Sequence, residues 1–91
     1  MNRSTETWRD HAIAFIATYD RPEADTYERH VVRVARRWLA LMRSRQVRQG
    51  MVNSVLEELD TPQTADYGCG WDELRRKFRA WAAEEEWLER A

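Results

Sequence analysis

At 91 residues the chain has room for one small domain and not for two. Hydrophobic residues make up 43%, enough for a core, which excludes global disorder; three glycines and two prolines exclude collagen-like and low-complexity classes. A net charge of −1 excludes a polycation that coats DNA in bulk, and a single cysteine excludes an internal disulfide.

Trp8, Ala12, Phe15, Ile16 and Tyr19 share one helical face and predict a first helix over 5–19, with Ser4 or Thr5 at its start. Pro22 removes a backbone donor and restricts Arg21, so the stretch 20–25 is a break. Asp25 and Glu28 have the spacing of a capping box. Tyr27, Val31, Val34, Ala35, Trp38, Leu41 and Met42 then form the apolar stripe of a second helix, predicted over 26–49. Gly50 is read as its stop, where a left-handed residue is favoured.

Phase argues against one helix running through Gly50. Met51, Val52, Val55, Leu56 and Leu59 centre about 110° away from the preceding stripe. A straight helix cannot bury both sets against one partner, so a turn is expected at Gln49–Gly50 and a third helix over 51–59. Asp60 to Gly70 is read as a loop, since Pro62, Gly68 and Gly70 oppose regular structure. Trp71, Leu74, Phe78, Trp81 and Leu88 mark a fourth helix over 71–89. Asp72–Arg76, Glu73–Lys77 and Glu86–Arg90 are favourable pairs on that helix. No strand-like alternation and no repeat is present. The expectation is an all-α fold, a compact bundle of four helices forming a single helical domain over 1–91.

Charge is segregated along the chain. Residues 29–56 carry seven arginines and no acid; residues 57–74 carry six acids and no base; residues 75–79 carry four cations. On the predicted second helix, Arg29, Arg33, Arg36, Arg37 and Arg48 lie within about 60° of the direction opposite Met42. Arg29–Arg33 and Arg33–Arg37 put like charges one turn apart, each costing about 0.2–0.5 kcal/mol in an isolated helix. Nothing inside that helix relieves them. Three outside sinks are open: acids at 57–60 or on the fourth helix, an acidic surface on another protein, or the phosphates of a nucleic acid.

Trp87 is a second candidate for binding. On a helix through 89 it lies about 120° from the Trp81–Leu88 seam, beside Ala80 and Ala83. An exposed tryptophan among small residues has the make-up of an interface anchor; the alternative is that it folds back on the first helix.

Catalytic signals are lacking. Cys69 with His11 and His30 does not give metal-ligand spacing, and neither histidine is placed by sequence to activate the thiol. Glu84, Glu85 and Glu86 point about 100° apart and do not converge. No phosphate loop or nucleophile elbow is found. A helix-turn-helix around Gly50 is disfavoured because the third helix ends Glu57-Glu58-Leu59-Asp60, which phosphates repel.

No run of about 18 apolar residues and no secretory signal is seen, and a lone cysteine suits a reducing compartment. The expectation is a cytoplasmic protein without membrane association, cofactor or metal. Its expected function is non-catalytic binding of another macromolecule, foremost a protein with an acidic surface. The candidate contacts are Arg29, Arg33, Arg36, Arg37, Arg48 and Trp87. By analogy, small helical chains of this kind act as inhibitors, adaptors or modulators, including ones carried by phages and mobile elements. Nucleic-acid binding through the same arginines and self-association into a homo-oligomer are the alternatives.

Overall fold

The computed structural model describes residues 3–60 and 70–88. Four helices follow in chain order: α1 (Arg3–Tyr19), α2 (Thr26–Arg43), α3 (Gln49–Leu59) and α4 (Trp71–Glu84). No strand occurs among the described residues. The expected all-α helical bundle is the fold.

α2 is the central element and packs against the other three helices, most extensively against α1. Its apolar stripe explains this: Val31, Val34, Ala35, Trp38 and Leu41 are all buried. Trp38 is fully buried, with ring centroids 6.2 Å from Trp8 of α1, and 5.8 and 6.4 Å from Phe78 and Trp81 of α4. One aromatic cluster thus ties three helices together. α3 adds Val52, Val55 and Leu59 to the same core.

The start of α2 is fixed by chemistry legible in the sequence. Asp25 accepts the Glu28 backbone N–H at 2.8 Å, and Glu28 accepts the Asp25 backbone N–H at 3.2 Å. This closes a capping box. The second Glu28 carboxylate oxygen accepts from Arg21 at 2.6 Å, so the nearly buried acid is held on both sides.

The end of α2 differs from expectation. The helix stops at Arg43, not at 49. Ser44 is extended, and its hydroxyl accepts the Gln46 backbone N–H at 3.1 Å. This local bond competes with continuation of the helix. The phase break therefore falls in the connector 44–48, and Val47 turns inward onto the core. Gly50 is not the turn: it sits in the first turn of α3, which begins at Gln49.

α4 also ends early, at Glu84 rather than 89. Glu86 adopts φ 63°, the Glu86 N–H donates to the Ala83 carbonyl at 3.1 Å, and the Trp87 N–H donates to the Ala82 carbonyl at 2.7 Å. These two bonds form a Schellman motif with a glutamate where glycine is usual. The chain turns back over the connector, and the Trp87 carbonyl accepts from the Gln49 side chain at 2.7 Å. The start of α4 is left-handed too: Gly70 has φ 80°.

Candidate functional site

The last turn of α3 organises the arginines. The Glu58 carboxylate accepts from Arg33 at 2.7 Å and from Arg37 at 3.0 Å, bridging two like charges one turn apart on α2. Asp60, just past α3, does the same on the other side: it accepts from Arg75 at 2.6 Å and Arg79 at 3.2 Å, again one turn apart on α4. Acids at a helix C-terminus oppose the helix dipole. Here each acid is compensated by a pair of guanidinium groups from a neighbouring helix. α3 is thus an acidic wedge between two arginine pairs, and part of the segregated charge is consumed inside the chain.

The structure separates the predicted arginines by role. Arg33, Arg36 and Arg37 have internal partners: Glu58 for the first and third, Asp20 for the second. Arg33 also donates to His30 Nδ1 at 2.9 Å. Arg29 is exposed and makes no ion pair among the described residues. Arg48 is not on the α2 stripe, because α2 has already ended; it is the residue that precedes α3. Its side chain is exposed, and like Arg43 and Arg45 it makes no ion pair among the described residues.

Trp87 also moves relative to expectation. It lies beyond α4, so it does not share a helical strip with Ala80 and Ala83. It is half-buried against the core, in a depression shared with Leu41, Met42, Val47 and Trp81. That depression is formed by the end of α2, the α2–α3 connector and α4.

An open concavity lies between α2 and α3. It has a volume of about 800 Å³ and is lined by Arg37, Ala40, Leu41 and Ser44 on one side and Arg48, Gly50, Met51, Ser54 and Val55 on the other. Leu41 and Val55 are buried and form an apolar floor, while Met51 stays 42% exposed. Arg37 is tied to Ser54 at 2.9 Å and to Glu58, toward the C-terminal end of α3. Arg48 stands at the N-terminal end, where α3 has no side-chain cap and no acid in its first turn. Among the described residues no carboxylate lines the groove.

Of these residues only Arg37 and Arg48 were candidates by sequence. Met51 reads as core by helical spacing, and Gly50 reads as a turn. In the fold both face the groove. A Cβ added to Gly50 meets nothing within 4 Å, so no internal contact demands glycine there. A glycine inside a helix costs about 0.5–1 kcal/mol relative to alanine.

Lys77 Nζ lies 3.2 Å from His11 Nδ1 and 3.6 Å from Glu73, over shallow hollows of about 260 and 270 Å³. The ammonium donates, so the imidazole nitrogen accepts. Among the described residues no group of three His, Cys, Asp or Glu side chains is spaced to hold a metal ion. Nor is any helix among them long and apolar enough to cross a membrane. Cys69, most of the predicted 60–70 loop, and the Arg90 end of the Glu86–Arg90 pair lie outside the described residues.

No protein-family model, no curated protein sequence and no solved structure matches this chain.

Proposed function

We propose that the chain is a non-catalytic helical protein that binds another protein, as an inhibitor, adaptor or modulator, through the groove between α2 and α3 and the arginines around it. One observation carries this reading: an apolar floor with an exposed methionine lies open beside arginines, and among the described residues no acid lines it. Arg37 and Arg48 border that groove, and Arg29 extends the basic surface along α2. Arg33 and Arg36 act mainly inside the chain, where they hold Glu58 and Asp20. Trp87 packs against the core and lines a separate depression with Leu41 and Val47.

The binding of phosphates is the weaker reading. A nucleic-acid backbone would use the cations and leave the apolar floor idle, and three of the five predicted arginines are already neutralised by carboxylates.

The test is capture from a nuclease-treated extract of the native host on immobilised wild-type chain and on an Arg48→Glu variant. A protein retained by the first and not by the second supports the reading. Nucleic acid that co-purifies with the chain, with affinity falling log-linearly with salt, overturns it.

A further inference from the structure

The groove has a length, a chemistry and a shape that define its occupant. Its lining runs from Arg37 in α2 to Ser44 just beyond that helix, and from Arg48 just before α3 to Val55 within it. The helical parts of the two walls, Arg37 to Arg43 and Gln49 to Val55, are each six residue steps of 1.5 Å, about 9 Å, and the flanking extended residues lengthen them. Two turns of a docking helix have the same length, and an apolar face at i, i+4 and i+7 spans it end to end.

Shape and charge narrow the choice further. Ala40, Ser44, Gly50 and Ser54 are exposed on the walls and are all small, so a second backbone can come close. Gly50 is the clearest case: it sits in a helix, lines the groove, and has open space where its Cβ would be. Arg48 lines the groove where α3 begins; it makes no ion pair among the described residues, and neither do Arg43 at the end of α2 and Arg45 in the connector. A strand partner would need a sheet edge, and none occurs among the described residues. A small molecule would be left largely uncovered between walls whose residues are mostly exposed.

Building on the protein-binding reading above, we infer that the occupant is a short amphipathic α-helix of a partner protein. Its apolar side chains at i, i+4 and i+7 lie along Leu41, Met51 and Val55. Its acidic residues flank that stripe and meet Arg48, the groove arginine that makes no ion pair among the described residues. The small walls let its backbone settle between α2 and α3.

The experiment uses a phage-displayed library of helix-forming peptides of about 16 residues, long enough to hold helical structure. It is selected on the full chain, and single peptides are then measured by fluorescence anisotropy. The expected result is enrichment of Leu, Ile, Phe or Met at i, i+4 and i+7 with flanking Asp or Glu. Binding of the enriched peptide should fall by about tenfold or more in Gly50→Glu, which fills the groove and reverses its charge. Glutamate suits the first turn of a helix, so this variant should keep its fold, checked by thermal melting. Met51→Gln is the second variant, and it should weaken the same peptide. A library that enriches nothing, or peptides that bind Gly50→Glu and Met51→Gln as tightly as wild type, overturns the inference. A host protein that still depends on Arg48 would then leave the protein-binding reading standing without the helix. Loss of that dependence as well would remove both.

Discussion

The Tyr19 hydroxyl occupies the space that a side chain on Gly70 would need. A Cβ built on Gly70 would stand 2.5 Å from Tyr19 Oη and 3.1 Å from Cζ, and Gly70 has φ 80°. Two independent constraints therefore select glycine at the entry to α4, one conformational and one steric. They also join the end of α1 to the start of α4. Gly70→Ala should destabilise the fold by about 2 kcal/mol or more, combining the left-handed penalty with the collision. In a Tyr19→Phe background the hydroxyl collision is gone and the conformational cost remains, so part of the loss should return. Chemical denaturation of the four variants measures this. Equal costs in both backgrounds would show that Tyr19 swings away freely.

Glu86 gives a prediction of the opposite sign. It holds the left-handed position of the motif that ends α4, where a residue with a Cβ is strained by about 1–2 kcal/mol. Glu86→Gly should therefore stabilise the chain, by about 1 kcal/mol once the added freedom of glycine in the unfolded state is set against it. For a domain of this size that is a rise in melting temperature of about 4–8 °C. A lower melting temperature would mean that the Glu86 side chain supports the turn by more than its backbone costs.

Gly50 tests whether the groove is kept open at the expense of the fold's own stability. Nothing lies within 4 Å of its added Cβ, so Gly50→Ala should stabilise α3 by about 0.5–1 kcal/mol. Thermal melting reads the gain. A loss would place an internal demand on glycine and remove the argument that its smallness serves an outside partner.

What was legible in the sequence was the part governed by short-range rules. The capping box of Asp25 and Glu28 follows from residue type at fixed spacing, and so does the inward stripe through Trp38. The phase change between α2 and α3 was also readable, but its location was not. Gly50 attracted the turn by its usual preference, while the actual break came from the Ser44 hydroxyl binding Gln46, a bond with no strong sequence signature. The sequence pattern extends α4 to 89 because nothing in the residue type of Glu86 signals its left-handed conformation. Tyr27 fits the helical stripe yet is 48% exposed, since it lies at the first turn of α2. Among the site residues, the arginines were visible as a group. Which ones are spent internally depends on the long-range approach of Glu58 and Asp60, which no local pattern encodes.

Trp38 carries the core prediction. It is fully buried and meets aromatic rings from α1 and α4, but its indole N–H has no hydrogen-bond acceptor among the described residues. Trp38→Ala should cost about 3–5 kcal/mol through the cavity it opens. Trp38→Phe should cost much less, because the lost volume is partly offset by removal of a buried unsatisfied donor. Equal losses in urea denaturation would show that the indole N–H is satisfied after all.

Glu58 decides how the arginine stripe should be understood. From sequence alone, replacing Arg33 and Arg37 by alanine removes like-charge contacts and should leave stability unchanged or slightly raised. In the fold, one carboxylate sits between the two guanidinium groups, and the sign changes. Glu58→Gln leaves Arg33 and Arg37 facing each other one turn apart without their shared anion. The expected cost is about 0.5–1.5 kcal/mol at low salt, since the pair is only partly shielded from water. Near 1 M salt the screening length falls to about 3 Å, and most of that cost should vanish. Arg33→Ala with Arg37→Ala should also destabilise, but less than Glu58→Gln, because it removes the repulsion together with the attraction. Adding Glu58→Gln to the double variant should then cost almost nothing further. Melting curves of wild type and the three variants, taken at low and high salt, measure every term. A Glu58→Gln cost that is equal at both salts would assign the contact to packing rather than charge. No cost at either salt would return Arg33 and Arg37 to the outer surface as free cations, and would enlarge the basic face offered to a partner.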